Sequence, residues 1–152
     1  MLKPFLLFAL GTGLLTAAAP AKVDIYTNTE LHAIAGQLAA KNPQFAAKDF
    51  AQYKDHRTML AMRKATGSAE FHAHDADVFF VVSGKATLVT GGMILNPKTI
   101  SPGEIRGSSI RGGERHALAA GDVVHIPARV PHWVIVDGSQ PFAYFVVKVS
   151  GQ

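Results

Sequence analysis

His72 and His74 stand one residue apart in Gly67-Ser-Ala-Glu-Phe-His72-Ala-His74-Asp-Ala-Asp77. His132 closes a second stretch, Gly121-Asp-Val-Val-His-Ile-Pro127-Ala-Arg-Val-Pro131-His132. In a β-strand, side chains at i and i+2 leave the same face. His72 and His74 can therefore aim two imidazoles at one point, and a third from a distant strand can complete a metal site. Imidazole nitrogen, with or without a carboxylate, suits one divalent transition metal, Fe, Mn, Ni, Cu or Zn, and affinity order does not choose among them. The chain has no cysteine, which excludes thiolate ligands and cysteine nucleophiles.

The elements that must hold these residues follow from the texture of the chain. From Thr58 onward, short runs rich in Val, Ile, Phe and Thr alternate with Gly, Pro, Asn and Asp: Thr58–Ala65, Glu70–His74, Val78–Ser83, Lys85–Thr90, Glu114–Leu118, Asp122–Ile126, His132–Val136 and Phe142–Val149. Many short strands with regular turn signals indicate a sandwich or barrel. Ahead of them, Leu31, Ile34, Ala35 and Leu38 recur at helical spacing, with Thr27-Asn-Thr29 in front and Asn42-Pro43 behind, so one amphipathic helix is predicted. The polar segment 44–55 reads as irregular. Segment 97–113 breaks the strand rhythm with glycine and mixed charge, and reads as an inserted loop or hairpin.

These two histidine stretches resemble the paired motifs of the cupin superfamily. Gly67 to Gly84 resembles the first: a glycine, histidine-x-histidine, an acidic residue, then six residues and a glycine, which Asp77 and Gly84 satisfy. Gly121 to His132 resembles the second: a glycine, five residues, a proline, and a histidine five positions on. The resemblance implies an all-β fold, a double-stranded β-helix (jelly-roll) barrel over 58–152 with a short N-terminal helix in 22–57. It implies metal ligation by His72, His74 and His132, with Asp77 as a fourth ligand or the holder of a bound water. It also suggests a homodimer. Three departures stand out. Asp77 replaces the usual glutamate, with one residue fewer between it and the second histidine; Arg129 stands where the motif has glycine; and Val136 stands where it has asparagine.

Strand parity adds lining residues. If His72 and His74 face inward, so does Glu70, a candidate general base. If Asp77 faces inward, so do Phe79 and Val81, and Val134 shares a face with His132. The cavity around the metal is then mostly apolar. Arg106 and Arg111 in the insert could clamp an anionic substrate, since guanidinium pairs carboxylate bidentately. Arg63 and Tyr144 fall on barrel strands, with either face open to them.

Composition bounds the rest. The 152 residues carry a formal charge of +4, spread without a basic run, which argues against nucleic acid. Met1-Leu-Lys3-Pro, the apolar run Phe5 to Leu15, and Thr16-Ala-Ala-Ala-Pro-Ala21 read as a signal peptide over 1–21, cut after Ala19 or Ala21. The run is too short for a stable membrane anchor. The protein is expected to be exported, periplasmic or secreted. The leading expectation is a metal-dependent enzyme acting on a small organic molecule, as an oxygenase, isomerase or lyase. The alternative is a non-catalytic cupin that binds or senses a small molecule, its metal holding the ligand or stabilising the barrel.

Overall fold

The computed structural model describes residues 22–42 and 44–152; the expected signal peptide lies outside them. Thr27 opens helix α1 (Asn28–Lys41) through a reciprocal cap, its hydroxyl accepting from the Glu30 amide at 3.2 Å while the Glu30 carboxylate accepts from the Thr27 amide at 2.9 Å. The helix lays Ala35 and Leu38 onto Leu60, Met62, Val82 and Ala143. No described helix is long and apolar enough to cross a membrane.

The strands are β1 (Phe45–Gln52), β2 (His56–Arg63), β3 (Ala69–His72), β4 (Asp75–Ser83), β5 (Lys85–Thr90), β6 (Met93–Leu95), β7 (Lys98–Ser101), β8 (Glu104–Gly107), β9 (Ser109–Arg111), β10 (Glu114–Ala119), β11 (Val123–Ile126), β12 (His132–Ile135) and β13 (Phe142–Ser150). Two antiparallel sheets face each other, in the orders β1-β2-β13-β4-β11 and β10-β5-β12-β3-β8-β7; β6 and β9 form a separate ribbon. This is the expected all-β jelly roll with one helix.

Alternation sorts the side chains of the first sheet. On β2, Leu60 and Met62 turn outward under the helix, so Arg57, Met59, Ala61 and Arg63 turn inward. On β13, Phe142, Tyr144, Val146 and Lys148 turn inward. Between the sheets, Phe79, Val81, Leu88, Leu118, Ile126, Val134, Phe142 and Tyr144 make the main core. Burying each large apolar side chain stabilises the fold by about 1.5–3 kcal/mol.

Two expectations change. The segment 44–55 is mostly strand β1, seven of whose residues pair with β2 around a bulge, so the sheet begins ahead of Thr58. Its polar side chains face solvent at a sheet edge, which hides the strand pattern. The insert 97–113 is a hairpin and a half: β7 and β8 extend the second sheet beyond β3, and β9 pairs with β6.

Candidate metal centre

Cross-strand register builds the site. Glu70 on β3 lies opposite His132 on β12 and Arg106 on β8. His72 lies opposite Glu104, and Asp77 on β4 lies opposite Lys148 on β13. Directly opposed residues share a face and touch. The two sheets thus bring Glu70, His72 and His132 from one side against Asp77 and Lys148 from the other.

The donors converge on one point. Nε2 of His72 lies 3.3 Å from Asp77 Oδ2 and 3.5 Å from Glu70 Oε2; Nε2 of His132 lies 3.5 and 4.0 Å from the same two oxygens. One donor atom each from Glu70, His72 and His132 falls within 4.8 Å of the others. Both Nε2 atoms are buried and without a hydrogen-bond partner. Both Nδ1 atoms are engaged, that of His72 by Glu104 at 2.7 and 2.8 Å, that of His132 by the Val130 carbonyl at 3.1 Å. An acceptor at Nδ1 keeps a proton there and leaves Nε2 for a metal, the arrangement in which metal-binding histidines are usually held. The residues fit a divalent cation held by nitrogen and oxygen.

The charges agree. Burial alone would raise the Glu70 and Asp77 carboxyl groups. The neighbouring imidazoles outweigh it, aided by Arg106 at Glu70 and Lys148 at Asp77, and hold Glu70 at about 2 and Asp77 far below the carboxylate range. Burial alone would lower His72; the Asp77 and Glu70 carboxylates outweigh it and lift the imidazole to about 9. The cluster favours positive charge at its centre, and a metal would take the place of the proton on His72.

A pH dependence follows. In protein stripped of metal, His72 titrates near 9 when folded against an ordinary 6.5. Its contribution is full below 6.5, on the order of 3 kcal/mol, and is lost as pH rises through 9. Glu70 contributes fully above its ordinary 4.5 and loses that contribution as pH falls toward 2. Urea-unfolding midpoints with chelator present should peak between about pH 4.5 and 6.5. Midpoints that keep rising from pH 7 to 9 would contradict the arrangement.

The structure does not bring His74 to this cluster. Strand β3 ends at His72, and His74 sits exposed in the bend before β4, its ring edge over Gly103. The i, i+2 argument fails because the strand stops between the two residues. Glu70, two residues before His72, takes the expected place of the second donor. Reading Glu70-x-His72 as the donor pair lengthens the gap before Asp77 from two residues to four. Phe79 and Val134 line the cavity as expected, whereas Val81 lies deeper in the core. Arg106 reaches the cavity but is engaged with Glu70 and Glu104 at 3.4 and 3.3 Å. Arg111 is exposed against Met93, away from the site, because β9 leaves the sheet to pair with β6. Glu104, Lys148 and Arg63 are site residues that motif spacing did not reveal.

The cavity measures about 160 Å³ and is lined by Arg57, Arg63, Arg106 and Lys148, by Glu70 and Asp77, and by Phe79, Val134 and Tyr144 among others. Lys148 Nζ pairs with Asp77 Oδ1 at 2.5 Å. Arg63 is 6% exposed, its guanidinium between the rings of Phe45 and Tyr144, 5.1 and 5.7 Å from their centroids. Stacking of this kind recovers about 0.5–2 kcal/mol, short of the several kcal/mol that desolvating a charge costs. Burial pushes the Tyr144 hydroxyl up to about 12, so it stays protonated.

Comparison with known proteins agrees with this architecture. The Cupin domain family model matches residues 102–148, which hold the second motif, Glu104 and Lys148. A conserved protein with a double-stranded β-helix domain from Klebsiella pneumoniae superposes with a TM-score of 0.58 at 17% identity, over 86% of this chain and 93% of that one. A cupin superfamily protein from Desulfitobacterium hafniense superposes at 0.54 and 16%, over 77% and 87%. The DMSP lyase DddQ from Ruegeria pomeroyi superposes at 0.50 and 16%, over 70% and 47%. No curated protein matches significantly. Facing antiparallel sheets define a double-stranded β-helix barrel, and the nitrogen–oxygen donor cluster between them could hold a metal ion. The chain has the double-stranded β-helix fold of these proteins, and its C-terminal part matches the Cupin domain model.

Proposed function

We propose that the chain is an exported, metal-dependent cupin enzyme that acts on a small organic molecule, as an oxygenase, isomerase or lyase. The observation that carries this reading is the pair of buried, unpartnered Nε2 atoms facing the Glu70 and Asp77 carboxylates. Glu70, His72 and His132 would hold the metal, with Asp77 Oδ2 beside them. A bound metal would supply a Lewis acid that polarises a carbonyl or carboxylate oxygen. The chain supplies the rest. Glu104 fixes the His72 ring, and the Val130 carbonyl fixes His132. Phe79 and Val134 keep water from one wall. The Tyr144 hydroxyl, kept protonated by burial, offers a hydrogen-bond donor at the cavity wall. The fold also occurs in a DMSP lyase, a likeness of architecture.

Export is supported by the sequence ahead of Lys22. Tyr26 packs on Phe50 and Phe145, at 4.5 and 5.5 Å between ring centroids, and a cut after Ala19 or Ala21 would keep these contacts. One experiment tests both parts: metal analysis and N-terminal sequencing of protein isolated from its native compartment. The expected result is close to one divalent transition metal per chain, with a first residue of Pro20 or Lys22. Metal-free protein would overturn the enzyme reading, and cytoplasmic protein beginning at Met1 would overturn export.

A further inference from the structure

We infer that Arg63 is the anchor for a carboxylate group on the ligand, so that the cavity takes small monocarboxylic acids. The inference rests on the reading of this cavity as the ligand site and does not depend on the metal.

Four cationic side chains line the cavity, and three of them have acidic partners. Lys148 pairs with Asp77, Arg106 with Glu70 and Glu104, and Arg57 with Asp49 at 3.6 Å. Among the described residues, no carboxylate lies within 4.0 Å of the Arg63 guanidinium, and its Nε is buried without a hydrogen-bond partner. Aromatic stacking offsets only part of the hydration that a buried guanidinium gives up. An anion delivered by the ligand would supply the remainder, through the planar fork that carboxylates fit.

The surroundings are shaped for that position. Gly67 has no side chain where Arg63 passes: a Cβ there would stand 2.4 Å from Nη1. The Gly67 carbonyl is held by the Trp133 indole N–H at 2.7 Å, which fixes this wall. Tyr144, protonated, offers a hydroxyl donor on the same side. Glu70 and Asp77 also line the cavity. Their negative charge disfavours a phosphate dianion and tolerates a single carboxylate directed at Arg63. At about 160 Å³ the cavity is small beside the roughly 300–1,000 Å³ of drug-sized pockets.

The test is calorimetric titration of the full-length exported chain with pyruvate, its neutral isostere pyruvamide, and inorganic phosphate, each with metal present and with metal removed by chelator. Pyruvate should bind in both states, at least tenfold more tightly than pyruvamide or phosphate. Arg63→Gln should weaken pyruvate at least tenfold and leave pyruvamide unchanged. If Arg63→Gln does not fold, Gly67→Ala decides, because it displaces the guanidinium while keeping its charge; it should weaken pyruvate severalfold. Equal binding of pyruvate and pyruvamide, no pyruvate binding by the parent, or full pyruvate binding by a folded Arg63→Gln variant (or by Gly67→Ala, where that variant decides) would overturn the proposal. Pyruvate binding by a protein that takes up no metal would sustain the anchor and reject the metal enzyme.

Discussion

Replacing His72 or His132 with alanine should remove most of the bound metal, and replacing His74 should leave metal content at the parent level. His72 and His132 are each 2% exposed and aim Nε2 at the carboxylates of Glu70 and Asp77. Removing either leaves an incomplete donor set around a buried point, and the two carboxylates then face each other with less positive charge between them. His74 is exposed in the bend between β3 and β4. Glu104→Gln should fall between these extremes. It keeps the His72 ring in place but weakens the acceptor at Nδ1, a change that typically costs 10–100-fold in metal affinity. Metal analysis after dialysis, with competition against a chelator of known affinity, reads all four variants. A His74→Ala variant as depleted as His72→Ala would show that the bend closes onto the site.

The contrast between His72 and His74 also shows how far the sequence can be read. Strand runs, turn residues and the two motif blocks were enough for the fold, because alternation and turn chemistry are local properties. His132, His72, Asp77 and the lining residues Phe79 and Val134 were legible for the same reason. His74 was misplaced because parity holds only inside a strand, and nothing local marks the end of β3 between positions 72 and 74. The shortened gap before Asp77 was the one local irregularity: it marks where the motif departs from its usual spacing, next to the end of β3. Glu104 and Lys148 stayed hidden because their partners are set by register between strands distant in sequence, Glu104 against His72 and Lys148 against Asp77. Arg63 was visible as a strand residue, but its face is settled only when helix α1 covers Leu60 and Met62.

Asp77→Asn should be the most destabilising single change at the site in protein held free of metal. Lys148 is 8% exposed, and its ammonium group has Asp77 as its partner at 2.5 Å. Its other cross-strand neighbour is Arg57, a like charge. With Asp77 neutral, the ammonium group remains buried and unpaired, a change that typically costs about 3–5 kcal/mol. Lys148→Met should cost less, because Asp77 keeps His72 and His132 at 3.3 and 3.5 Å, and His72 is already inclined to hold a proton. The double variant Asp77→Asn with Lys148→Met removes both charges together. It should recover part of the loss, through a coupling energy of roughly 1–3 kcal/mol between the two positions. Urea unfolding of the parent, both single variants and the double variant, with chelator present, measures the cycle. A folded Asp77→Asn variant within about 1 kcal/mol of the parent, below the usual cost of such a break, would mean that Lys148 finds water or another acceptor. In that case the ion pair could not be what holds Asp77 Oδ2 toward the two histidines.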